Sequence, residues 1–119
     1  MGASELNFAP AVTVARAIRA GDVSSVEVTT RMLERIKQFN PGLNAIVTLT
    51  ADAALARARA ADEALARGES WGPFHGVPCT IKDTFETAGV RTTAGAPPFA
   101  KHVPAVDAAV VSRLRAAGG

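Results

Sequence analysis

An α/β fold with an unfinished sheet is what this sequence predicts, on three observations. Helical periods alternate with short β-branched or period-two stretches. The surest helix has an apolar face made mostly of alanine, suited to close packing on a sheet or another helix. A hydrophobic helix is the last element before Gly118-Gly119, and such an alternation asks for further parallel strands. The 119 residues suffice for one modest domain. Residues 1–12 read as a leader and 13–119 as a single partial domain.

Along the chain, Thr13 is placed to cap a helix running to Arg19, with Val14, Ala17 and Ile18 on one face and Gly21 as its stop. Ser24 and Glu27 have the spacing of a capping box, which opens a second helix over 25–39. Its apolar stripe is Val28, Met32, Leu33, Ile36 and Phe39. Asn40-Pro41-Gly42 predicts its end, because proline disfavours helical geometry in the residue before it. Ile46-Val47-Thr48 predicts a strand over 45–49. Residues 51–67, rich in Ala, Arg, Leu and Glu, predict a third helix closed by Gly68, with Arg57, Arg59 and Glu63 on its solvent side.

Trp71 and Phe74 pin a loop over 69–78, punctuated by glycine and proline. Residues 79–86 alternate with period two, which predicts a strand carrying Cys79, Ile81 and Phe85 on one face and Thr80, Lys82 and Thr84 on the other. Lys82 is then mid-strand. Residues 89–98 read as loop. A last helix starts at Asp107, or at Pro104-Ala105, and runs to Ala117 with Val110, Val111 and Leu114 facing inward.

Composition removes several functional classes. Hydrophobic residues make up 48% and charged ones 20%, so a core is expected; five Phe, one Trp and no Tyr keep it thin. Thirteen basic against eleven acidic residues leave a net charge of +2 with no basic block, which argues against a nucleic-acid partner despite a pI near 9.2. A single cysteine, Cys79, excludes an internal disulfide and suits a cytoplasmic location. It reads as a buried small hydrophobe rather than a nucleophile. No signal peptide, membrane span or myristoylation site is legible, so no membrane partner is expected. His75, Cys79 and His102 are too irregularly spaced for zinc, and neither metal nor cofactor is expected.

The segment Gly76-Val77-Pro78-Cys79-Thr80-Ile81-Lys82-Asp83-Thr84-Phe85, continued through Gly89, Thr92-Thr93 and Gly95, closely resembles the amidase-signature family. The likeness extends upstream through Leu43-Asn44-Ala45 and downstream through Val103-Pro104, Asp107-Ala108 and Arg113-Leu114-Arg115. It implies an α/β/α sandwich around a mixed sheet, of which this chain is the amino-terminal part. It also implies hydrolysis of a small-molecule carboxamide by a Ser, cis-Ser, Lys triad, with Lys82 as the lysine. A lysine that accepts protons must be neutral, and burial disfavours the charged form.

Family members carry both serines after the point where this chain ends; Ser4, Ser24, Ser25, Ser70 and Ser112 are in leader, cap, loop and helix contexts. The 119 residues alone are expected to be inactive. They are also expected to self-associate through an open sheet edge and bare helix faces. Asp83 can steady the lysine or its backbone surroundings, but it falls on the face opposite Lys82 in an ideal strand, which suits a structural role equally; it stays outside the triad. Two rival readings are a glutamyl-tRNA(Gln) amidotransferase A-type subunit and a non-catalytic interaction module. Gly95-Ala96-Pro97-Pro98 looks more like general amidases, with Ala96 where many members have serine.

Overall fold

In the computed structural model, which describes residues 2–119, a single helical turn, Ala3–Leu6 (α1), leads into the helices Ala11–Ala20 (α2), Ser25–Leu43 (α3), Ala51–Ala66 (α4) and Ala109–Ala116 (α5). A 3₁₀ turn spans Pro97–Phe99. Met1, the first residue of the expected leader, lies outside the described residues. The α2 face of Val14, Ala15, Ala17 and Ile18 is buried, and with Leu6, Val23, Val28 and Val77 it makes the core; Ala9, Leu65 and Phe74 pack against its edge. Ile18 is the largest fully buried side chain, at 1% exposure. Burying a side chain of this size contributes about 1.5–3 kcal/mol.

Two local devices fix how α3 meets α4. The Ser24 hydroxyl accepts the Glu27 N–H (3.0 Å) while the Glu27 carboxylate accepts the Ser24 N–H (2.7 Å), the reciprocal box expected from their spacing. The Ser24 backbone N–H, and after it the Ser24 hydroxyl, hold the Glu27 carboxyl below its ordinary range. Asp62 of α4 accepts the free N–H groups of Ser25 (2.7 Å) and Val26 (3.0 Å), placing a carboxylate on the positive end of α3. Ala58, Ala61 and Ala64 form the buried side of α4. Their small size admits the 72–77 loop. A Cβ on Gly76 would lie 2.9 Å from the Ser25 side chain and 3.4 Å from the Ala61 Cβ.

Several expected boundaries shift. α2 begins at Ala11, because the Pro10 carbonyl already accepts the Thr13 and Val14 N–H groups (2.9 and 3.1 Å); Thr13 is therefore in the first turn and caps nothing. Gly21, at φ 78°, closes α2 as expected. α3 runs four residues past Phe39, straight through Pro41, to end on Asn44 at φ 50°. A proline so close to the end costs one hydrogen bond, to the carbonyl of the exposed Lys37, and asparagine tolerates the left-handed stop. α5 starts at Ala109 because Asp107 is otherwise engaged: its carboxylate accepts the Ala88 N–H (2.7 Å) and pairs with Arg115 (3.1 Å). Val111 alone of the expected inward trio is buried, and Val110 is exposed.

The two expected strands are corrected, and the mixed sheet is not seen among the described residues of this chain. These contain no strand, only an isolated antiparallel bridge between Thr87 and Val90. Residues 45–49 are irregular because the Asn40 carboxamide takes the place of a neighbouring strand: it donates to the Ile46 carbonyl (3.0 Å) and accepts the Ile46 N–H (2.8 Å). Residues 79–86 are likewise not a strand. The Phe85 N–H turns back to the Lys82 carbonyl (2.9 Å), which breaks the alternation at the residue where it mattered most.

Candidate active site around Lys82

Lys82 opens the 82–85 turn with its side chain exposed, and among the described residues its Nζ has no hydrogen-bond or ion-pair partner. The burial expected of a proton-accepting lysine is absent from this chain. What is ordered is the backbone beside it. The Asp83 carboxylate accepts the Thr93 N–H (3.0 Å) and the Thr93 hydroxyl, and the Asp83 carbonyl accepts the Ala94 N–H (2.9 Å). Thr93 Oγ1 in turn accepts the Gly95 N–H (3.1 Å). The Thr93 bonds, the hydroxyl first, hold the Asp83 carboxyl below its ordinary range.

Residues 93–96 close on themselves through the Ala96 N–H and the Thr93 carbonyl (2.9 Å), with Ala94 at φ 51° and Gly95 at φ 67°. Positive φ at both central residues is the signature of a type I′ turn. Glycine takes it freely; alanine does not. The surrounding segment is tied by further polar contacts. Glu86 accepts the Ala108 N–H through its carbonyl (2.7 Å), and its carboxylate meets His102 Nε2 (2.7 Å). Gly89 donates to Pro104 (2.9 Å) and Thr92 to His102 (3.0 Å). Thr87, Thr92 and Thr93 are buried.

The remaining candidates have structural tasks. His75 is buried; its Nδ1 accepts the Trp71 N–H (3.0 Å), and since a backbone N–H can only donate, the ring proton is on Nε2, directed at the Ala61 carbonyl (2.9 Å). Ser25 is buried and donates to the Gly76 carbonyl; Ser24 caps α3, Ser70 accepts the Gly72 N–H (3.4 Å), and Ser112 is exposed on α5. None of these four bonds Lys82. Cys79, expected to be buried, is exposed. Arg57, expected on the solvent side of α4, instead lies over the Trp71 ring (4.9 Å) and donates to the carbonyls of Gly119 (2.8 Å) and Arg115 (3.1 Å). Among the described residues, no group of three or more His, Cys, Asp or Glu side chains is placed to hold a metal ion, and no helix is long and apolar enough to cross a membrane.

The sequence singles out Lys82 as a candidate only and does not show the Asp83–Thr93 pairing, which joins residues ten apart across a turn. Gly95 was its one visible signal, as a glycine inside a loop that must reverse direction.

Residues 27–119 match the family model described as Amidase. Among curated proteins, the chain is 41% identical over 114 residues to the glutamyl-tRNA(Gln) amidotransferase A-type subunit of Carboxydothermus hydrogenoformans, covering 96% of this chain and 24% of that one. The protein of the same name from an Azoarcus species is 50% identical over 103 residues, 87% of this chain and 21% of its own. Among solved structures, fatty acid amide hydrolase superposes with a TM-score of 0.90 at 26% identity, over 98% of this chain and 21% of that one. A second is described as "An unexpected vestigial protein complex reveals the evolutionary origins of an s-triazine catabolic enzyme"; it gives 0.84 at 34%, over 90% and 24%. The chain therefore spans about a quarter of the length of the curated relatives it matches.

Proposed function

The chain belongs to the Amidase family, and from that premise we propose that it supplies the lysine base, Lys82, to an enzyme that cleaves the C–N bond of a small carboxamide. The observation that carries the reading is that the family match runs through the 82–85 turn, where a hydrogen-bonded backbone holds a lysine whose amine is uncommitted. In the proposed reaction a nucleophilic serine attacks the amide carbon and passes its proton through a bridging serine to Lys82. The C–N bond breaks as the leaving nitrogen takes up a proton. Water then hydrolyses the acyl-enzyme to the carboxylic acid.

Both serines, and the cover that would take Lys82 out of water, come from polypeptide outside these residues. The 119 residues alone are inactive on this reading, and bare apolar side chains such as Phe8, Leu43 and Val106, each at least 70% exposed, drive them to self-associate. No metal or cofactor takes part in the proposed chemistry, and neither nucleic acid nor membrane is needed for it.

One observation favours a second reading. The curated relatives are glutamyl-tRNA(Gln) amidotransferase A-type subunits by name, which points to glutamine as the carboxamide and to ammonia passed onward instead of released. Carboxylic acid formed from the amide by the full-length gene product tests both. Turnover of simple carboxamides favours the hydrolase; turnover of glutamine that rises with glutamyl-tRNA(Gln) favours the amidotransferase. In either case Lys82→Ala lowers turnover by about 100-fold or more. Unchanged turnover in that variant overturns the assignment of Lys82.

A further inference from the structure

We infer that Asp83 and Thr93 are positioning residues for Lys82: their paired hydrogen bonds clamp the turn that carries the lysine to the loop facing it, and so fix the direction from which its amine meets the serine relay. The inference rests on the reading of Lys82 as the base and adds to it the parts that aim it. A lysine on a four-carbon stem needs a fixed root to work as a base, because misplacement by about 1 Å can cost on the order of 100-fold in rate. The residue next to the root supplies that fixity.

The pattern of donors dictates the protonation of the clamp. Thr93 Oγ1 accepts the Gly95 N–H (3.1 Å). A hydroxyl has one proton, which is free to go to Asp83 Oδ2, while the Thr93 N–H goes to Asp83 Oδ1 (3.0 Å). Asp83 is therefore an acceptor at both oxygens, and its own carbonyl is an acceptor for the Ala94 N–H (2.9 Å). One residue thus gathers three bonds from a type I′ turn that Ala94 enters only against its backbone preference, at φ 51°. The clamp sits one residue from Lys82 while leaving its amine free.

The test uses the full-length gene product and a fluorophosphonate, an electrophile that reports an activated serine whatever the natural amide. Wild type is labelled, and Lys82→Ala slows labelling by about 100-fold or more. Absence of labelling in wild type, or equal labelling of Lys82→Ala, overturns the reading of the base and this inference with it. With the base established, Asp83→Asn and Thr93→Val lower the maximal labelling rate by roughly 10- to 100-fold at matched folded concentration, with the half-saturating concentration unchanged. Thr93→Ser, which keeps the hydroxyl and the N–H, restores the rate. A merely structural clamp would change the folded fraction and leave the maximal rate of the folded protein intact. That result, in Asp83→Asn or in whichever Thr93 variant folds, overturns the positioning role while the base assignment stands.

Discussion

The helices α2 to α4 and the segment over residues 79–108 are held by different forces. The helical part buries valine, isoleucine and alanine around Ile18. The segment carrying Lys82 buries three threonines and a proline, and it is organised by side chains that bond backbone groups: Asp83 to Thr93, Asp107 to Ala88, Thr92 to Val90. Apolar burial is non-directional and tolerant, whereas a hydrogen bond fixes an atom to within a few tenths of an ångström. On the proposed reading of Lys82, the contrast suits a stable scaffold beside a site that must be aimed.

The largest expected effect lies in the helical part. Ile18→Ala removes the largest fully buried side chain and is expected to cost about 2–5 kcal/mol in urea unfolding. A loss near zero would mean that the core does not carry the fold. Asp62→Ala leaves the Ser25 and Val26 N–H groups without their acceptor and is expected to cost about 1–2 kcal/mol, measured in the same way. In the other region Ala94→Gly relieves a left-handed alanine and is expected to raise stability by up to about 1 kcal/mol. A decrease would show that the turn is not under strain.

The smallest effect is that of acid. Glu27 in the helical part and Asp83 in the loop part both have carboxyls held below their ordinary range. Each contributes stability that is fully present above its unfolded-state pKa and is lost as pH falls through the lower folded value. The thermal midpoint is therefore expected to drop on acidification through the carboxylate range. It should drop less in Glu27→Gln and in Asp83→Asn, each tested in a pH series; parallel curves for wild type and variants would contradict the two assignments.

The same contrast explains what was legible. Ser24 with Glu27, Gly21 and Gly68 act within a few residues of their own position, so their roles followed from spacing. The stripe of α2 followed from period alone. Pro41 misled because the cost of a proline depends on how near the helix end it falls, which α3 settles only at Asn44. Ile46 and Lys82 both misled for one reason: a β-like pattern says that a residue is extended, not what completes its hydrogen bonds. At Ile46 a single asparagine does so, and at Lys82 the chain turns on itself. Arg57 was read as solvated because its partners, Trp71 and the turn after α5, are distant in sequence.

The claim that polar contacts, not apolar burial, hold the platform of Lys82 is tested most directly by amide hydrogen exchange, residue by residue, in wild type and Asp83→Asn. The expected result is faster exchange at Thr93 and Ala94, with protection across α2 to α4 unchanged. Equal loss of protection in both regions would contradict it, as would no change at Thr93 and Ala94.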